Sequence, residues 1–265
     1  MKARLLRLLL LMVLAASIDS AFAQGTTMTW TVDGVPRTAL VFAPPPTTSA
    51  VLHPLIFAFH GHGGNSQAAA MGMHFQTLWP EAIVVYPQGL KTPSIVDPSG
   101  NYPGWQVELG QANLGDRDLK FFDAMLAGLK EKFSVDETRV YSTGFSNGAV
   151  FSYLLWAERG KTLAALGICA GRLATSEHLA LPRAVVVIAG RADPIVPFAM
   201  QQQAIETGRQ VDQATGSGQQ CGPMCELYPS PLQTPVVTWI HPGGHVYPPW
   251  APAAFVEFFK KHKLP

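Results

Sequence analysis

Apolar residues in this chain follow two rhythms. Short, mostly apolar runs recur at 55–59, 82–86, 139–142, 163–169, 184–189 and 236–240. A run without polar alternation predicts a strand buried on both faces, and six such runs separated by amphipathic stretches predict an α/β fold, a mainly parallel sheet covered by helices. The second rhythm is helical. Leu119, Phe122, Leu126, Leu129 and Phe133 recur at three- and four-residue steps and predict one core-facing stripe. Asp116 and Asp118 at its start, with Lys130 and Lys132 at its end, suit the helix dipole. Further helices are predicted after Asn147 and over about 249–262. Ahead of this frame, 28–33 and 37–43 flank Gly34-Val35-Pro36 and predict an antiparallel hairpin, which Pro44-Pro45-Pro46 ends. Two connections, 87–115 and 207–235, are long enough to cover or shape a site.

The first 23 residues fit neither rhythm. Lys2, Arg4 and Arg7 precede the apolar stretch 8–16, and Ala21-Phe22-Ala23 follows, which predicts a secretory signal peptide cleaved near Ala23. The stretch falls well short of the about 20 residues that cross a bilayer. Residues 24–265 show no internal repeat or dividing linker and read as one catalytic domain. With 48% hydrophobic and 14% charged residues and a net charge of +1, the chain is neither disordered nor basic enough for a nucleic-acid or membrane surface. Its three cysteines are an odd count for an exported chain, so one pair and one leftover thiol are expected. Cys221 and Cys225 bracket Gly-Pro-Met in a polar stretch and are the natural disulfide; a zinc site made by these two with His241 and His245 is the rival reading. Cys169, inside an apolar run, reads as a buried small hydrophobe.

Chemistry concentrates after the runs. Gly144-Phe145-Ser146-Asn147-Gly148 lies between the run at 139–142 and a helical stretch, the strand-turn-helix setting of a nucleophile elbow, which predicts Ser146 as a nucleophile. A serine needs a base held by an acid, and in this chain order the acid precedes the histidine. Asp193 follows the run at 184–189, and His245 follows the run at 236–240 behind Gly243-Gly244, which frees the loop to bring it over the serine. His241 abuts its strand and is the weaker base. His53, His74, His178 and His262 lack such a setting, and Asp97 and Asp212 read as loop acids with no strand before them. His60-Gly61-His62-Gly63-Gly64 follows the run at 55–59, where a hydrolase of this type places one oxyanion donor; the backbone N–H groups of His62 and Asn147 are the expected pair. Two histidines in a glycine-rich turn make an incomplete metal site, so no metal is expected.

Taken together, His60 to Gly64, Val85-Tyr-Pro-Gln-Gly89, Val140 to Gly148, Gly190-Arg-Ala-Asp-Pro-Ile-Val-Pro197 and Gly243-Gly-His245 resemble the secreted polyhydroxybutyrate depolymerase-like and feruloyl esterases over most of the chain from about Thr29. The resemblance implies an α/β-hydrolase fold, no cofactor and a Ser146, Asp193, His245 triad, and so a serine carboxylesterase; no obligate protein partner is evident in the sequence. It further implies that Trp105 lies beside the acyl pocket and that His60, with it, contacts substrate. Many relatives carry a tryptophan directly after the catalytic-histidine motif, where this chain has Val246-Tyr247-Pro248-Pro249-Trp250. Soluble hydroxycinnamoyl or carbohydrate-linked esters are therefore expected ahead of a crystalline polyester. A polyhydroxyalkanoate depolymerase, an acetyl-xylan esterase, a peptidase of the same fold and a catalytically dead binding protein are the alternatives.

Overall fold

A computed structural model describes residues 25–45, 51–111, 114–174 and 178–265. The signal segment expected at 1–23 lies outside them. The N-terminal strands are β1 (Thr26–Val32), β2 (Val35–Phe42), β3 (His53–Phe59) and β4 (Ile83–Pro87), followed by the short pair β5 (Leu90–Lys91) and β6 (Pro103–Gly104). Then come β7 (Val135–Phe145), β8 (Ala165–Cys169), β9 (Ala184–Gly190), β10 (Gln219–Gly222), β11 (Cys225–Tyr228) and β12 (Val236–His241). The helices are α1 (Ser66–Met73), α2 (Phe75–Leu78), α3 (Arg117–Lys132), α4 (Asn147–Arg159), α5 (Phe198–Val211) and α6 (Ala251–Phe259).

Ten strands join one sheet in the order β1-β2-β4-β3-β7-β8-β9-β12-β11-β10. From β4 to β12 every pairing is parallel; antiparallel hairpins, β1-β2 and β10-β11, extend it at either end. Each apolar run became a strand because alternate side chains serve opposite layers. Leu55, Phe57 and Phe59 of β3 pack with α3 and α4, while Ile56 and Ala58 pack with α1, α2 and α6. The stripe on α3 is rotated from the expected one: Phe121 and Met125 are fully buried with Leu119, Phe122 and Leu129, whereas Leu126 and Phe133 are only half-buried. The arc is wider than the stripe because α3 also packs against the β1-β2 ribbon, where Trp30 meets Phe121 at 6.0 Å. A second difference lies in 207–235. Much of this stretch is ordered secondary structure, the end of α5 and the β10-β11 hairpin, whose Gln- and Gly-rich sequence hides its strand character.

Parallel strands share a direction, so β3, β7, β9 and β12 all end at one edge of the sheet. The segments expected to carry chemistry leave the sheet there.

Candidate active site

Ser146 sits in the turn between β7 and α4 with φ 55° and ψ −120°, a conformation that costs a side-chain-bearing residue on the order of 1–3 kcal/mol. The turn is this sharp because its glycines permit it. A Cβ on Gly144 would lie 2.4 Å from the carbonyl of Gly148, and one on Gly148 would lie 2.3 Å from the carbonyl oxygen of Phe59. The sequence thus drives the hydroxyl outward at the head of α4.

His245 Nε2 lies 2.8 Å from Ser146 Oγ, and its Nδ1 lies 2.8 Å from Asp193 Oδ2. A carboxylate can only accept, so Nδ1 carries the proton and Nε2 is left to accept from the serine. Asp193 receives four N–H donors: Ile195 and Val196 amides on Oδ1, and Gln201 Nε2 and His245 on Oδ2. One carboxylate oxygen therefore shapes its own turn while the other holds the histidine, so the turn-stabilising and base-orienting readings of an Asp-Pro pair hold together. Phe145 packs on the imidazole at 4.9 Å. His241 is turned away, its Nδ1 accepting from the Gly243 amide at 3.1 Å, and burial lowers its pKa.

Asn147 opens α4, and the first amides of a helix have no intrahelical acceptor. Its side chain is spent on the neighbouring loop: Oδ1 accepts from Trp105 N at 2.7 Å and Nδ2 donates to Trp105 O at 3.0 Å. In the turn after β3, Gly63 and Gly64 donate to Pro103 O and Gly61 O, and no acceptor for the His62 amide is found among the described residues. The His62 side chain meets Asp97 Oδ2 at 3.1 Å. A cleft beside the serine is lined by Ile95, Val96, Val107, Val150, Ile195 and Val196, with Arg172 and His62 as its cationic or ionisable members.

Two expectations fail here. Trp105 is fully buried and does not line the cleft: its indole N–H donates to His60 O at 2.9 Å, and its ring packs between Phe59 and Phe151 at 5.1 and 5.6 Å. A glycine- and proline-rich loop needed an anchor, and the largest apolar side chain in it supplies one. His60 does not face substrate either. Its Nδ1–H donates to Gly61 O at 2.8 Å and its Nε2 accepts from the Gly89 amide at 3.0 Å, which fixes the neutral tautomer; burial lowers its pKa in keeping with that.

Sequence reasoning also missed residues that matter. Gln201, on a helix it did not single out, braces Asp193; the signal was its i+8 spacing across a helix start. Asp118 holds the loop behind Trp105 by accepting from Gln106 N at 2.9 Å and from Arg37 at 2.7 Å, a buried ion pair that only the fold brings together. Cys221 and Cys225 form a disulfide across the β10-β11 turn, which excludes the zinc reading. Cys169 is free and buried, and burial pushes its thiol pKa up.

No family model matches the chain. Its sequence is 29% identical over 152 residues to a probable feruloyl esterase C of Aspergillus oryzae, covering 55% of this chain and 51% of that protein. It is 30% identical over 147 residues to feruloyl esterase C of Emericella nidulans, with 55% and 51% covered. Among solved structures, an acetyl xylan esterase from Aspergillus awamori superposes with a TM-score of 0.62 at 15% identity, covering 89% of this chain and all of that one. The chain has an α/β-hydrolase fold and is similar over about half its length to feruloyl esterases. The chain spans about half the length of the curated relatives it matches. None of its described helices is long and apolar enough to cross a membrane.

Proposed function

We propose that this hydrolase is an exported serine carboxylesterase acting on hydroxycinnamoyl or related esters, with Ser146, His245 and Asp193 as its triad. The observation that carries the reading is the unbroken chain of contacts, 2.8 Å and 2.8 Å, from the serine hydroxyl through the imidazole to the buried carboxylate. Ser146 Oγ attacks the ester carbonyl while His245 Nε2 takes its proton, and Asp193 stabilises the imidazolium that forms. The His62 and Asn147 amides donate to the developing oxyanion, aided by the N-terminus of α4. His245 then gives the proton to the departing alcohol. Water, deprotonated by the same imidazole, releases the acid from the acyl-serine. No cofactor takes part. Hydroxycinnamoyl esters are supported by the names of the fungal relatives and by a cleft with an apolar lining. The pattern at Lys2 to Ala23 supports export with cleavage near Ala23.

The test is hydrolysis of methyl ferulate and labelling by a fluorophosphonate, wild type against Ser146→Ala. The wild type is expected to hydrolyse and to label at Ser146. The variant is expected to fold, to lose labelling and to lose about a millionfold in turnover. Labelling that persists in the variant would move the nucleophile elsewhere.

A further inference from the structure

Arg172 follows β8 and lines the same cleft as Ser146, a cleft whose lining also includes six aliphatic residues. A guanidinium carries five N–H donors and keeps its charge at any working pH. Among the described residues one of them finds an acceptor, NH1 donating to Leu173 O at 3.0 Å. No carboxylate among the described residues lies within ion-pair distance of it, and the two acids beside the cleft are engaged elsewhere, Asp193 by His245 and Asp97 by His62. No aromatic ring lies under it among the described residues, in contrast to Arg37 and Arg209. Arg172 is half-buried and shares the lining of the cleft with Ser146, the residue an ester must reach.

Resting on the proposal that Ser146 is the nucleophile, we propose that Arg172 is a specificity-determining residue that binds an anionic group of the substrate, so that preferred esters carry a carboxylate near the scissile bond. The planar fork matches a carboxylate in two parallel N–H···O bonds, whereas a neutral acyl chain would leave it unpaired. The carboxylate could belong to the acid or to the alcohol half of the ester, and two matched substrate pairs separate these sources. Methyl pentanoate against monomethyl succinate places the charge on the acyl side. Phenyl acetate against 4-carboxyphenyl acetate places it on the alcohol side.

The measurement is kcat/KM for all four esters with wild type, Arg172→Gln and Arg172→Lys. In one pair the wild type is expected to favour the charged ester, and Arg172→Gln to lower the charged-to-neutral ratio by about tenfold, mainly through KM, as loss of a charge-assisted pair should. Arg172→Lys should fall between the two. Ratios unchanged from wild type in both pairs, or equal losses on charged and neutral esters, would overturn the proposal and leave the esterase reading standing. A wild type that hydrolyses methyl ferulate but none of the four esters would overturn this proposal alone, whereas one that hydrolyses none of the five and escapes fluorophosphonate labelling would overturn the nucleophile assignment and this proposal with it.

Discussion

Two histidine–aspartate pairs border one cleft, and they differ in what the second ring nitrogen meets. In the pair His245 and Asp193, Nδ1 faces the carboxylate at 2.8 Å and Nε2 faces Ser146 Oγ at 2.8 Å. In the pair His62 and Asp97, Nε2 faces the carboxylate at 3.1 Å, and Nδ1 is buried with no hydrogen-bond partner among the described residues. The acids differ as well. Asp193 is 6% exposed and held by four N–H donors, while Asp97 Oδ2 takes His62 and the Tyr102 amide, and its own amide bonds Ser94. The first pair can pass a proton. The second pins the loop that carries Ile95 and Val96 against the turn that carries the His62 amide. Residue type alone does not make a catalytic dyad; the group at the far nitrogen does.

The same substitution made at both acids should separate the two pairs by the largest margin. Asp193→Asn removes the acceptor that sets the tautomer of His245, and esterase turnover should fall about ten-thousandfold with the melting temperature little changed. Asp97→Asn keeps an oxygen facing His62, and its effect should stay within about tenfold, since a slight displacement of an oxyanion donor is all that is at stake. Comparable losses in steady-state assays of the two variants would give His62 a part in proton transfer and erase the distinction.

The same contrast explains what could be read in advance. Ser146, Asp193 and His245 each follow a strand-forming run within a few residues and carry a local pattern, so the sequence order alone aligned them at one edge of the sheet. The cleft wall has no such pattern. Val107, Arg172 and Ile195 come from three irregular segments that only tertiary hydrogen bonds align, such as Asn147 to Trp105 and Asp118 to Gln106. Asp97 looked inert because no strand precedes it, yet its partner is 35 residues away. Trp105 was misread for a related reason. A large aromatic in a glycine-rich loop is equally a platform or an anchor, and the deciding neighbours, Phe59 and Phe151, are distant in sequence.

Trp105→Ala sharpens that last point. Truncating a buried tryptophan costs about 3–5 kcal/mol, so a marked drop in melting temperature is expected. Rates on methyl ferulate and p-nitrophenyl acetate should fall together, because the loop behind the cleft loosens for both. A selective loss on methyl ferulate with unchanged stability would return the indole to the acyl pocket.

The smallest effect is expected furthest from the serine, at Cys221 and Cys225. Their bridge closes the turn of the β10-β11 hairpin, in which β10 is the last strand of the sheet and its first three residues are exposed. A loop this short gains less than the roughly 3 kcal/mol that cross-linking brings to a loop of about 15 residues. β11 keeps its own ladder to β12, from Cys225 opposite Trp239 to Tyr228 opposite Val236. The loop bearing His245 is held separately, by Ala192 N to Gly243 O at 3.1 Å and Val246 N to Gly244 O at 3.0 Å. Reduction with dithiothreitol, verified by alkylation, should therefore raise amide exchange over 219–222 and leave ester hydrolysis unchanged. If hydrolysis fell in step with reduction, the hairpin would have to be coupled to the histidine loop through β12, and the sheet edge and the catalytic edge would not be independent.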